Sequence, residues 1–256
     1  MNPINTAVPH SARIWNYWMG GKDHYTVDRE AGDAYQQIAP QVVTMARESR
    51  KFLIRTVTFV AEQGVRQFLD IGTGLPTYDN THDVAQRIAP EARIVYVDND
   101  PIVLSHARAL LTGTPEGLTE YLDADLYDPQ TILGEASRVL DCTQPVALML
   151  MGILGHIPDH EQALSIVRRL QAALPSGSYF LHYDGVDTDA DLQAAQKGYD
   201  DTGAVPYVLR SREQLKAYYD GLDLVEPGLV SCPLWGPAPG TTPEPTDIYG
   251  GVAHKA

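Results

Sequence analysis

The stretch FLDIGTGLPT, residues 68–77, decides the fold. An apolar run ends in an acid, Asp70, and passes at once into a glycine turn carrying Gly72 and Gly74. Turns of this kind join a parallel strand to a helix and receive a ligand over free backbone N–H groups. A dinucleotide fingerprint G-x-G-x-x-G would put its third glycine at position 77, where the chain has Thr77. Pro76 removes one N–H donor, and Asp70 would set a carboxylate near a pyrophosphate. Both departures suit a ligand with a cation and no phosphate, and they leave Pro76 free to open the following helix.

Outward from the turn, strand-like runs recur at RQFLDI (66–71), ARIVYVD (92–98), LTEYL (118–122), PVALMLM (145–151) and GSYFLHY (177–183). Helical patterns fill the gaps: DVAQRIA, PIVLSHARALL, PQTILGEASRVL and HEQALSIVRRLQAAL. Such alternation predicts βαβ units and a mostly parallel sheet, a doubly wound α/β domain over residues 41–256. The long helical stretch 41–64 offers Phe52, Val57 and Val60 to that sheet. Residues 1–40 form an extension of different texture, rich in aromatics and glycine. The tail from about residue 221 is expected to be loop-rich, because PLWGPAPGTTPEPT contains five prolines.

Composition narrows the partners. A formal charge of −14 on 256 residues argues against nucleic acid and against an anionic membrane surface. Cys142 and Cys232 lie far apart without metal-ligand spacing, which fits a reducing cytoplasm better than a disulfide framework. The N-terminus MNPINTAVPHSARIW has no apolar signal core, and the most apolar run, 145–154, is too short to span a bilayer. The oligomeric state stays open between monomer and homodimer.

S-adenosylmethionine (SAM) is a ligand of the required kind, with an ammonium, a sulfonium, a ribose and an adenine. The second strand ends at Asp98, where a carboxylate can accept both ribose hydroxyls. That position alone does not separate SAM from NAD. The third strand runs into Asp125, placed to accept from the adenine amino group, and the fourth into MGILGHIPD (151–159). Acids at three successive strand ends favour SAM. With the turn we group Thr73, Pro76, Asn80 and His82, the last as a pocket or structural residue. Asn99, Leu126, Met151 and Gly152 join them from the later strand ends.

With these motifs the chain resembles the class I SAM-dependent methyltransferases, and specifically an actinobacterial branch, the S-adenosyl methyltransferase family. The resemblance rests on RIWNYWMGGKDHYTVDREAG, FLDIGTGLPT, ARIVYVDNDPIVLSHARALL, YLDADLYDP and the closing GLDLVEPGLV…YGGVAHK. It implies a Rossmann-like, seven-stranded, mostly parallel sheet with helices on both faces. It further implies that Asp70, Gly72 and Gly74 frame the methionine moiety, Asp98 the ribose and Asp125 the adenine, with Asp100 and 151–154 flanking. The N-terminal motif departs from the family's usual wording at Trp15, Asn16, Trp18, His24 and Tyr25, and a single His156 stands where paired histidines are usual.

Methyl transfer from a sulfonium needs orientation, dryness and, for some nucleophiles, a general base. His156, after the fourth strand, is the candidate base; capping the next helix is the alternative. His182 and Asp184 share a strand face as a conceivable metal pair, but no third ligand has suitable spacing, so no metal is expected. The segment 13–28 reads either as an amphipathic helix with a glycine cap or as a cover over the cofactor. In the second reading Tyr17, Lys22 and Tyr25 line the active site. No NPPY, DPPY or Pro-Cys motif follows the fourth strand, which favours a small-molecule acceptor, such as a natural-product intermediate, over a peptide. The competing readings are a SAM-binding regulator without transfer activity, an enzyme that displaces at SAM without moving the methyl group, and an NAD-dependent oxidoreductase.

Overall fold

The computed structural model describes residues 5–110 and 113–256. Five parallel strands form its centre: β1 (Gln67–Ile71), β2 (Arg93–Asp98), β3 (Leu118–Asp123), β4 (Ala147–Met151) and β5 (Tyr179–Gly185). Three antiparallel strands follow, β6 (Asp223–Leu224), β7 (Val230–Ser231) and β8 (Ile248–His254). The order is β3-β2-β1-β4-β5-β8-β6, with β7 also pairing β8. β1 and β4 are buried along their whole lengths, as strands covered on both faces must be, hence their continuous apolar sequences. The strand order reverses between β1 and β4, so the carboxyl ends there flank the crevice where doubly wound sheets bind ligands.

The sheet has eight strands rather than seven, and the tail is not all loop. β8 runs antiparallel to β5 through seven register pairs from Tyr179↔His254 to Gly185↔Ile248. The proline-rich segment ahead of it is irregular, and β6 and β7 are two residues each.

Nine helices stand among the described residues. α1 (Ser11–Trp18), α2 (Thr26–Ile38) and α3 (Val42–Glu62) precede the sheet. α4 (Thr81–Ile88), α5 (Pro101–Leu110), α6 (Pro129–Ala136) and α7 (His160–Ala172) fill the crossovers, while α8 (Ala190–Asp200) and α9 (Arg212–Ala217) follow β5. Leu111, the end of the expected helix 101–111, lies outside the described residues. One core packs α1, α2, α3, α4 and α8 on one sheet face, and another packs α6, α7 and α9 on the other. Phe52, Val57 and Val60 are all buried in the first. No described helix is long and apolar enough to cross a membrane.

The extension is built around a buried ion pair. Arg13 Nε lies 2.8 Å from Asp28 Oδ2, and Asp28 also accepts from the backbone N–H groups of His10 (3.0 Å) and Tyr25 (2.8 Å). One carboxylate thus ties the starts of α1 and α2 together. α1 ends in a Schellman turn: Gly20 at φ +87° donates to Tyr17 O, and Gly21 donates to Asn16 O.

Candidate functional site

A cavity of about 460 Å³ opens at the carboxyl ends of the parallel strands. Its floor is the glycine turn. Gly72 and Gly74 hold φ of +75° and +64°, which glycine alone adopts readily. A Cβ on Gly72 would lie 2.4 Å from Ile153, so the turn is packed directly beneath the loop after β4. Pro76 lines the cavity but opens no helix. The chain first passes through Asp79 at φ +50°, and Asn80 caps α4 four residues later, accepting from Thr77 N–H while donating to Asp83.

Acids surround this turn. Asp70 at the end of β1 accepts from Thr81 Oγ1 at 2.6 Å. Burial raises its pKa to about 6, against the Thr81 hydrogen bond and the Arg50 charge. Asp98 at the end of β2 accepts from Gly74 N–H (3.1 Å) through one oxygen and Asp100 N–H (2.9 Å) through the other. It too is raised to about 6, chiefly by burial. Each Asp98 oxygen keeps a lone pair, enough for one hydroxyl apiece. Asp125, exposed at the mouth, accepts from Asn99 Nδ2 (3.2 Å) and Tyr127 N–H (2.9 Å).

The opposite wall comes from the extension and from α8. His10, Ile14, Trp15 and Trp18 line it from α1, Tyr35 from α2, and Gln196 and Tyr199 from α8. His10 Nε2 sits 3.2 Å from Asp100 Oδ2, linking the start of α1 to the loop after β2. Burial lowers its pKa, with Asp100 opposing. Tyr199 Oη and Tyr121 Oη, both on cavity-lining residues, are buried without a hydrogen-bond partner among the described residues. Unpaired buried hydroxyls are costly and available to a ligand.

His156 lines the cavity from the short 3-10 turn Leu154–His156. Its Nδ1 is 2.9 Å from Pro206 O, a contact that makes Nδ1 the donor and leaves Nε2 with a free lone pair. Burial lowers its pKa, so the ring is neutral near pH 7. Arg210, fully buried, donates to Leu154 O (2.8 Å) and to Ile157 O, holding this turn from both ends. Tyr207 packs edge-on against His156 with ring centroids 5.1 Å apart. Its hydroxyl donates to Asp184, whose other oxygen is 3.0 Å from His182 Nε2; His182 Nδ1 faces Tyr219 Oη at 3.2 Å. His182 and Asp184 therefore belong to a buried hydrogen-bonded chain. Among the described residues no group of three or more His, Cys, Asp or Glu is placed to hold a metal ion.

The cavity brings together Asp70, Gly72, Thr73, Gly74, Pro76, Asn80, Asp98, Asn99, Asp125, Leu126, Met151, Gly152 and His156. Four expected residues are elsewhere. Tyr17 does not line the cavity: its ring sits with Ile14 and Trp18 around Gly32 of α2, and its hydroxyl donates to Asp33 on α2 at 2.7 Å. Lys22 and Tyr25 lie past the Gly20 bend and are exposed. His82 is buried behind the wall, its Nδ1 2.9 Å from Tyr96 Oη, where it supports the stacked Tyr96–Tyr121 pair. Sequence reading missed His10, Arg50, Tyr199 and Tyr207, all of which line the cavity. A signal existed for Arg50, because it falls on the apolar stripe of α3 with Ala46, Leu53 and Val57.

A doubly wound sheet with its last long strand antiparallel, a glycine turn after β1 and acids at the ends of β1 and β2 defines a class I SAM-dependent methyltransferase. The chain belongs to the S-adenosyl methyltransferase family, whose model matches residues 1–256. A crystal structure of a DUF574 family protein from Streptomyces avermitilis is 44% identical, covering 99% of this chain and 100% of that one with a TM-score of 0.93. A methyltransferase candidate from Thermobifida fusca is 36% identical over 97% of this chain and 95% of that one, with a TM-score of 0.89. The mitomycin 7-O-methyltransferase structure shares the fold alone, at 18% identity and a TM-score of 0.52 over 79% of this chain and 54% of that one. Among curated proteins no sequence matches the chain.

SAM is accordingly the cofactor, and the residues present fit it. A Cβ built on Gly74 would meet only Ala12, 4.0 Å away, so the cradle is open; the acids complement a cation, and the free lone pairs of Asp98 suit a ribose.

Proposed function

We propose that the protein methylates a small, largely apolar acceptor, of the kind found among natural-product intermediates, at a group carrying an O–H or N–H. The observation that carries this reading is the wall built by Trp15, Trp18, Tyr35 and Tyr199, which is aromatic with isolated polar tips. Such a wall suits a flat organic molecule held by stacking and oriented by a few hydrogen bonds. A nucleic acid would instead need basic side chains, and the formal charge is −14.

When bound, SAM supplies a methyl group on a sulfonium, an electrophile with a good leaving group. The chain's own residues do the rest. Asp70 and Asp98 hold the cofactor by charge and hydrogen bonding, and α1 excludes water from one side. His156 Nε2, neutral and unbonded to protein, takes the proton from the acceptor heteroatom, while Pro206 O fixes the ring. Positioned bases of this kind contribute about 10²–10⁴-fold to rate.

Incubation of the full chain with SAM and a panel of hydroxylated and aminated aromatic compounds tests the reading. S-adenosylhomocysteine with a methylated acceptor supports it. Methylthioadenosine as product would indicate displacement at SAM instead, and tight SAM binding without turnover across the panel would indicate a regulatory protein.

A further inference from the structure

The buried stripe of α3 contains one charge. Met45, Ala46, Ser49, Leu53, Val57 and Val60 are buried at helical spacing, and Arg50 shares their face at 9% exposure. A guanidinium stays charged at any ordinary pH, and burying one without a partner is expensive. Among the described residues Arg50 makes neither an ion pair nor a hydrogen bond. It lines the cavity, and it is the one arginine or lysine among the described residues that does so. Asp70 and Tyr183 line the same side, close enough for the Arg50 charge to pull both of their pKa values downward against burial.

We propose that Arg50 holds the α-carboxylate of the methionine half of SAM, beside Asp70, which meets the ammonium. The assignment rests on the cofactor binding at the glycine turn. An amino-acid terminus presents a cation and an anion two bonds apart, so its site needs both charges side by side. In this cavity that juxtaposition occurs at Arg50 and Asp70, next to Gly72. The planar fork of arginine matches a carboxylate through two parallel N–H donors, which an ammonium side chain cannot do. The guanidinium faces the cavity with no described protein group hydrogen-bonded to it, so an arriving carboxylate finds it free, which makes Arg50 a specificity residue for the intact amino acid.

The test compares three ligands by calorimetry on the full chain: SAM, decarboxylated SAM, which keeps the ammonium, and methylthioadenosine, which lacks the whole amino-acid end. The wild-type protein is expected to bind SAM about 10- to 100-fold tighter than decarboxylated SAM. Arg50→Gln should weaken SAM by the same factor and leave the other two ligands within about threefold, with Arg50→Lys falling between. The methylthioadenosine arm reports whether the variant still folds around the adenine end. Unchanged SAM affinity in Arg50→Gln overturns the assignment and would transfer the arginine to an acidic acceptor. Equal weakening of all three ligands also overturns it, as the mark of a purely structural arginine. Wild-type protein that bound none of them would overturn the cofactor reading beneath the proposal as well.

Discussion

Acidification should weaken cofactor binding while relieving a cost in the ligand-free protein. Asp70 and Asp98 each have a pKa of about 6 in the ligand-free cavity, raised chiefly by burial. At about pH 5 a carboxyl of that pKa is ionised in roughly one molecule in eleven, and at about pH 7.5 almost completely. If the cationic cofactor requires both carboxylates, affinity falls about tenfold per acid, and about 100-fold or roughly 2.7 kcal/mol for the pair. For stability the sign is opposite. Folded-state values above the unfolded ones mean that the folded protein holds these protons more tightly. The two acids therefore favour the ligand-free fold below about pH 4, and that contribution is lost as pH rises through about 6. Burial lowers the pKa values of His10 and His156, so these rings resist taking up a charge as the acids are protonated. Calorimetry with S-adenosylhomocysteine at about pH 5, 6 and 7.5, in two buffers of different ionisation enthalpy, measures both quantities. At about pH 6 each acid gives up roughly half a proton, so binding should release about one proton in all. Asp98→Asn should halve that release and cut the pH dependence to about tenfold. Affinity that stays flat between about pH 5 and 7.5, with no proton released at about pH 6, would mean that neither carboxylate is needed by the cofactor.

Other substitutions separate binding, chemistry and folding. His156→Gln is expected to leave S-adenosylhomocysteine affinity within about twofold and to lower kcat by 10²–10⁴-fold, read from initial rates on any acceptor that turns over. Gly72→Ala meets both an unfavourable φ and Ile153 2.4 Å from the new Cβ, so it should destabilise by about 2–4 kcal/mol and weaken the cofactor together. Denaturant melts and calorimetry check the two effects. Asp28→Asn strands Arg13 without its buried partner and should cost about 3–5 kcal/mol in a urea melt. Glu91→Gln, which removes an exposed partner of Arg66, is the control and should leave the melt in place.

β1 and β4 were legible because strands covered on both faces are written as apolar runs, and the glycine turn marks where the first one ends; the edge strand β3 shows instead as the alternating LTEYLD. The acids at 70, 98 and 125 were legible because each stands at or just past the carboxyl end of a strand-like run, where doubly wound sheets bind ligands. β8 escaped notice because its residues IYGGVAH follow a proline-rich loop, and only pairing with β5 makes them a strand. Pro76 was read as a helix start from its fixed φ, whereas Asn80 and Asp83 supply the stronger cap and place the start at Thr81. Tyr17, Lys22 and Tyr25 belong to a segment whose aromatics and glycine pair suggest a cover over the cofactor. The helical repeat turns Tyr17 toward α2, and the bend at Gly20 carries the other two away. Tyr199 and Tyr207 could not be assigned to the cavity, because the contacts that bring the segment after β5 to α2 and to His156 are between residues distant in sequence.

Calorimetric titration of the full chain with SAM, and separately with NAD, decides which cofactor the glycine turn receives. Both ligands carry an adenine and a ribose, so they differ at the point where the glycine turn meets either a cationic amino acid or a pyrophosphate. One SAM should bind per chain, with no heat of binding for NAD. Saturable binding of NAD with none of SAM would contradict it.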